Sequence, residues 1–376
     1  MHAPPTGLPY VIYYTALATI AIPANIVAIA ILSRGRCGLS RCITQYLVSM
    51  AVMDLLVILT AVIVNRLSGM YFPGSFLSIT PVCSVSNVLT FAARVSSVWL
   101  TVSFTFDRFI AISCQRLKTK YCTERTAAMV IGTICTLGCL TNIPFYFMHE
   151  PIYVVDNVPW YCRMKEIRYT SPAWTAFDWF DCILTPCLPF VLILLLNALT
   201  VRHILAASRA RRRLRAHSNG ETQCDLEIES RKKSIILLFT ISGSFILLWM
   251  TYVAQFLRVR IVKDFTFQSF NDPRFILQES GNMLQLLSSC TNTFIYAAVQ
   301  RKFREELKKA EQLEDAECGV DGILDDSASS DNNPGLHRAD SSRNQADGPR
   351  GGALRLRRQL TRQHVGVATS SSREEF

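Results

Sequence analysis

Seven long apolar runs, separated by short polar stretches, organise most of the chain: roughly 9–33, 43–66, 80–113, 126–148, 173–206, 232–258 and 274–298. Each reaches or exceeds the roughly 20 residues that a helix needs to cross a hydrocarbon core about 30 Å thick. Lipid offers nothing to satisfy an open backbone, so runs of this length are predicted to be helices closed on their own hydrogen bonds. The pattern therefore predicts an all-α membrane protein, a bundle of seven transmembrane helices over 9–298, preceded by a short segment at 1–8. No small-residue cleavage site follows a charged region there, so the first helix is expected to act as its own insertion signal. The stretch "VQRKFREELKKA" sets Val299 and Phe303 four apart among charges. That spacing predicts a short amphipathic eighth helix, 299–313, lying on the cytoplasmic face. From 314 to 376 the composition turns to Asp, Ser, Asn, Gly and Arg, which predicts a disordered cytoplasmic tail.

Charge adds an orientation. The first, third and fifth gaps between runs, from Arg34 to Arg41, Arg116 to Arg125 and Arg202 to Lys233, hold 16 Lys and Arg against 8 in the other three. The richer side is expected to be cytoplasmic, which puts the N-terminus outside and the C-terminus inside a multi-pass plasma-membrane protein. The formal net charge of +10 thus follows membrane topology. Basic tracts such as "SRARRRLR" face lipid headgroups, not nucleic acid.

Thirteen cysteines are scattered along the chain, and most fall within helices or on the reducing side. Cys83, at the outer start of the third helix, and Cys162, in the long loop 149–172, alone fall clearly in the oxidising compartment. A bridge between them would tie that loop to a helix end; the alternative is two unrelated thiols.

Several polar residues lie where lipid makes them costly. Asp54 sits in "SMAVMDLLVIL", and a carboxylate at such depth costs roughly 2.5–3.5 kcal/mol on the gentlest scale. Asn25, Ser97, Ser288 and Asn292 fall at comparable depth. Together they would either surround a cation such as sodium or form an interhelical hydrogen-bond network. Asp107 and Arg108 are adjacent in the apolar "SVWLTVSFTFDRFIAIS", at the cytoplasmic mouth of the third helix. Arg94, about four helical turns further out, should face a cavity or a carboxylate, with Asp178 and Asp181 as candidate partners. Nothing resembles a metal cluster, a phosphate loop or a nucleophile elbow, which argues against an enzyme. No internal repeat suggests a transporter.

Over about 9–310 the chain resembles a rhodopsin-like G-protein-coupled receptor. The residues that carry the likeness are Asn25 in "PANIV", Asp54 in "MAVMD", Cys83, "DRF" at 107–109, Pro189, Trp249 and "NTFIY" at 292–296, with Cys83 preceding Arg108 by 25 residues. The fourth helix lacks the usual Trp, Asn197 replaces a Tyr, and Thr251 and Thr293 replace helix-bending prolines. "SVWLTVSFTFDRF", "LTNIPFYF" and "GNMLQLLSSCTN" are similar to the small orphan subgroup linked to L-tryptophan and L-phenylalanine. Without a proline at 251, the sixth helix is expected to pivot near Gly243.

The resemblance implies a switch in which Asp107 pairs with Arg108 at rest and Arg108 turns to a heterotrimeric G protein on activation, with Asn292 and Tyr296 in the same machinery. Arg231, Lys232 and Lys233 stand where many relatives carry an acidic partner for that arginine. It also implies a small extracellular ligand, an aromatic amino acid or a short peptide. Arg94 would take the carboxylate, Asp181 or Glu279 the ammonium, and Trp249, Tyr252 and Phe256 the ring; Thr90 and Asn282 complete the expected pocket. No cofactor is implied beyond an allosteric sodium ion at Asp54, Ser97, Ser288 and Asn292. Arrestin and receptor kinases would meet the tail, where Thr361 follows basic residues and "ATSSSREEF" ends the chain. The alternative is a seven-helix receptor that binds ligand or arrestin without activating G proteins, a reading that Asn197 and Thr293 favour.

Overall fold

A computed structural model describes residues 7–72, 74–215, 224–262, 272–310 and 312. Most of the N-terminal segment 1–8 and all of the predicted tail, 314–376, lie outside the described residues. So do the side chains of Arg231, Lys232 and Lys233.

Seven long helices cross one another in a bundle. They are α1 (Leu8–Ser33), α2 (Arg41–Tyr71), α3 (Thr80–Ser113), α4 (Glu124–Asn142), α5 (Pro172–Arg215), α6 (Cys224–Val262) and α7 (Pro273–Val299). The first six contain stretches long and apolar enough to cross a membrane. The seventh does not reach that hydropathy, because Glu279, Gln285, Ser289 and Thr293 are polar residues turned into the bundle. Its 27 residues pack against α1, α2 and α6. Large apolar side chains on the outside, among them Ile12, Leu59, Met129, Leu137, Val191, Leu194, Leu247 and Phe294, form the surface that a bilayer would cover.

Side chains set the helix ends. The Ser40 hydroxyl accepts from the Ile43 amide at the start of α2, Thr123 accepts from Thr126 at the start of α4, and Asp272 accepts from Arg274 at the start of α7. These are the N-terminal donors that a helix leaves unmatched. Gly35 and Gly38 take positive φ in the turn between α1 and α2, a conformation that glycine adopts without steric cost. Residues 301–310 are helical and pack Phe303 against Tyr296, with ring centroids 6.2 Å apart.

Two features differ from the regular all-helical pattern. Helix α2 loosens into a π-helical stretch at Ile58–Leu67 and α5 does so at Ile183–Cys187, around Pro186. Proline lacks an amide proton, so a wider turn there re-routes the hydrogen-bond ladder. The loop after α4 also carries short strands. Antiparallel β1 (His149–Glu150) pairs with β4 (Arg163–Met164), and β2 (Tyr153–Val155) with β3 (Val158–Trp160). Asp156 and Asn157, both at positive φ, make the tight hairpin between β2 and β3 that matches strand twist.

Helix α3 is the central element and packs against α2, α4, α5 and α6. A Cβ at Gly138 of α4 would fall 2.5 Å from Ser96 Oγ and 3.1 Å from the Ala92 carbonyl. The glycine therefore allows α4 to lie directly on α3.

Candidate ligand cavity and switch

Cys83 and Cys162 are bridged, with Cα atoms 6.1 Å apart. The bridge anchors the hairpin loop to the start of α3. Beside it, Asn87 Nδ2 lies 3.3 Å from His149 Nε2, and the Tyr161 amide donates to the Ser78 carbonyl at 2.7 Å. The loop is thus seated over one end of the bundle by covalent and polar contacts.

Beneath it, α3, α5 and α6 line a cavity between them, the concave, largely apolar setting in which small ligands are commonly held. Arg94 and Asp181 both line it, with Phe91, Trp249, Tyr252 and Phe256 as aromatic walls. The Arg94 guanidinium lies 5.7 Å from the Phe91 ring centroid and 5.9 Å from that of Tyr252. Asp181 accepts from the Thr185 hydroxyl at 3.1 Å. Asp178, the other candidate partner of Arg94, is instead held by Arg168 at 2.7 Å. The cavity therefore presents a cation, an anion and aromatic surface together, while its two charges do not form a direct ion pair.

Three expected pocket residues are placed elsewhere. Thr90 points to α2, where its Oγ1 lies 2.8 Å from Thr60 Oγ1 and donates to the Ser86 carbonyl at 2.8 Å. Glu279, only 4% exposed, is engaged by Arg66 at 3.3 Å, Tyr14 at 3.1 Å and Asn282 at 3.2 Å. An ammonium ligand would have to compete with that ion pair, so Asp181 is the carboxylate available to the cavity. The Arg66–Glu279 network joins α1, α2 and α7. The sequence signals it only through Arg66 standing alone at the end of its apolar run.

The mid-membrane polar centre forms around Asp54. Its Oδ1 accepts from the Ser97 hydroxyl and its Oδ2 from the Asn292 amide, both at 2.8 Å. Ser288 lines the same space, but its Oγ donates to the Gln285 carbonyl at 2.6 Å and accepts from Trp249 Nε1 at 3.1 Å. Asn25 stays outside the group and ties α1 to α7 through the Ser289 carbonyl at 2.9 Å. Trp249 thus stands between the ligand cavity and the polar centre, touching both through its ring and its indole N–H.

At the far end of α3, Arg108 Nη2 donates to Asp107 Oδ2, and both residues are buried. A thiol joins them: Cys42 Sγ donates to Asp107 Oδ1 at 3.2 Å. Cys122 Sγ also lies 3.6 Å from the Asp107 carbonyl oxygen. Neither cysteine stood out in the sequence, where thiols near apolar runs are indistinguishable from packing residues. Tyr296 is buried, and its hydroxyl has no hydrogen-bond partner among the described residues.

This arrangement, an aromatic-walled cavity joined by one tryptophan to a polar centre and a charge pair on a shared central helix, defines a membrane receptor of the seven-helix type. The model of the 7 transmembrane receptor (rhodopsin family) matches residues 24–296, and the chain belongs to that family. It is 25% identical to the probable G-protein coupled receptor 142 of Mus musculus over 312 residues, 81% of this chain and 73% of that protein. It is also 23% identical to C-X-C chemokine receptor type 2 of Canis lupus familiaris (80% and 77%) and 24% identical to galanin receptor type 2 of Homo sapiens (75% and 67%). The protein is a receptor and, like its family, not an enzyme.

Proposed function

We propose that this receptor binds a small zwitterionic ligand with an aromatic side chain, of the aromatic amino-acid class, and passes that event to a heterotrimeric G protein. The observation that carries the reading is the joint presence of Arg94 and Asp181 on one aromatic-walled cavity. A carboxylate can take the Arg94 fork, an ammonium the Asp181 oxygens, and a ring the space beside Trp249, Tyr252 and Phe256. Each charge is thereby neutralised where water is scarce.

Transmission follows the contacts. A ligand that shifts Trp249 loosens the Trp249–Ser288 bond and with it the packing of α6 on α7. The two-state element to be biased is the Asp107–Arg108 pair, whose release frees Arg108 for the G protein. The loop side is extracellular, the Arg108 side cytoplasmic, and helix 301–310 lies along the inner leaflet. Arrestin and receptor kinases act on the tail.

The test is an agonist screen of aromatic amino acids and their amides, reading calcium and cyclic AMP together. Arg94→Gln should weaken the acid at least ten-fold and leave the amide nearly unchanged, since only the acid uses the guanidinium. If acid and amide lose equally, Arg94 does not anchor the ligand. A ligand that binds without either signal would favour a receptor that does not activate G proteins.

A further inference from the structure

Helix α5 carries two thiols five residues apart, Cys182 and Cys187, and their sulfur atoms lie 3.9 Å from one another. A regular helix would not bring them together. At a rise of about 1.5 Å and a turn of about 100° per residue, positions five apart fall on different faces with Cα atoms about 8.7 Å apart, beyond the roughly 7 Å that a disulfide can span. The π-helical turn at Ile183–Cys187 changes this. Its ladder reaches five residues back, with the Leu188 amide donating to the Ile183 carbonyl, so positions five apart stack along one side. Pro186, inside the turn, lacks the amide proton that a tighter ladder would use.

The same turn forms a wall of the ligand cavity. Cys182 lines it together with Asp181, Thr185 and Pro186. Asp181, the carboxylate available to the cavity, accepts from the Thr185 hydroxyl inside the turn at 3.1 Å. Cys182 is buried and Cys187 half-buried, and the cavity gives a small polar reagent its route to the Cys182 sulfur. On the orientation proposed above, this half of α5 lies towards the oxidising side, where thiols close to disulfides.

We infer that Cys182 and Cys187 are a redox-active dithiol in the cavity wall, which a peroxide-class oxidant closes to a disulfide and a small thiol reopens. In the closing step the Cys182 sulfur, its proton passed to water, attacks the O–O bond of hydrogen peroxide. It becomes a sulfenic acid and one water is released. The Cys187 sulfur then attacks the sulfenic sulfur, the S–S bond forms, and the hydroxyl leaves with the Cys187 proton as a second water. The two thiols together lose two electrons and the peroxide is reduced to two waters. Two small thiols reverse the closure by exchange and leave as their own disulfide. The bridge pins α5 in its wide turn, because the regular helix holds the two Cα atoms too far apart for it. It thereby also fixes the Asp181–Thr185 wall against which a ligand binds.

The test uses the full-length receptor, purified without ligand and treated with hydrogen peroxide. Its outcome depends neither on the ligand's identity nor on which side of the membrane the loop faces. In the peptide map, the fragment that carries both cysteines should be two hydrogen atoms lighter and should take up no alkylating reagent until it is reduced. Reduced receptor should show both sulfurs alkylated. The peroxide-treated wild type should also melt higher than the same protein reopened with a small thiol. Cys187→Ala keeps the Cys83–Cys162 bridge and should lose that difference, so a change at the loop bridge is not mistaken for one in α5. Cys187 still alkylated after treatment, with Cys182 either a thiol or oxidised alone, overturns the inference. Equal melting of the closed and reopened wild type overturns the pinning of the turn. The peptide map of the wild type stands without any variant, so a Cys187→Ala protein that fails to fold leaves the inference open to refutation.

Discussion

Asp107 is held from two sides, by the Arg108 guanidinium and by the Cys42 thiol at 3.2 Å. A thiol is a weak donor, so it biases the carboxylate without fixing it, as suits a group that must let go. Cys42→Val keeps the volume and removes the donor. The loss should amount to about 0.5–1 kcal/mol, typical of one modest hydrogen bond. If the pair is the resting lock, basal nucleotide exchange on a G protein in membranes should rise about two- to five-fold at matched surface expression. Cys42→Ser retains a donor and should stay near wild type. Equal basal rates for the valine and serine variants would remove the thiol from the switch. Glu279 is the opposite case, with three partners and almost no exposure. Removing its charge strands Arg66 and costs stability, where Cys42 costs only bias.

Two glycines separate packing from motion at the scale of the helix. At Gly138 an added Cβ meets Ser96 Oγ at 2.5 Å and a backbone carbonyl of α3 at 3.1 Å; at Gly243 it meets nothing within 4 Å. Gly138→Ala should therefore force α4 off α3 and destabilise by about 1–3 kcal/mol. Gly243→Ala should instead stabilise α6 by up to about 1 kcal/mol through helix propensity. If α6 pivots there, the same change should lower the maximal agonist response while raising the melting temperature; an unchanged response would move the pivot elsewhere. Helices of this length were legible because apolar runs of more than 20 residues have one solution in lipid. The inward polar face of α7 could be read in the same way from Asp54's need for partners. The π-helical stretches were not legible, since Ile58–Leu67 reads as ordinary helix and only Pro186 hints at a wider turn. Nor were the loop strands, where two to three residues per strand leave no period to detect. The same limit applied to the pocket. Arg94, Asp181 and Trp249 were separable by depth alone, but whether Thr90 faced α2 or the cavity depended on rotation within α3.

For the whole molecule the open quantity is sidedness, and the seated loop offers a way to read it. His149 is buried beside Asn87 and the Cys83–Cys162 bridge. Burial holds its imidazole below the ordinary value of 6.5, and the nearby Arg168 and Lys165 push in the same direction. The folded loop therefore disfavours the proton more than the unfolded loop does. Its contribution to stability is complete above about pH 6.5 and is lost as pH falls through the lowered folded value, because the unfolded state binds the extra proton first. A protonated ring also turns Nε2 from acceptor to donor, which opposes the Asn87 contact. The orientation proposed from the excess of Lys and Arg on the Arg108 side would put this loop outside the cell. Acidifying the medium around intact cells from about pH 7.4 to about 5.5 should then loosen the loop and weaken ligand binding, reversibly and within the time of buffer exchange. His149→Gln keeps a polar side chain without the titration and should bind equally at both values. An N-terminal epitope tag stained on unpermeabilised cells decides the topology independently. A tag that is exposed together with acid-insensitive wild-type binding would leave the orientation standing and remove His149 from control of the cavity. A hidden tag would reverse the orientation itself, and the loop would then answer to cytoplasmic pH.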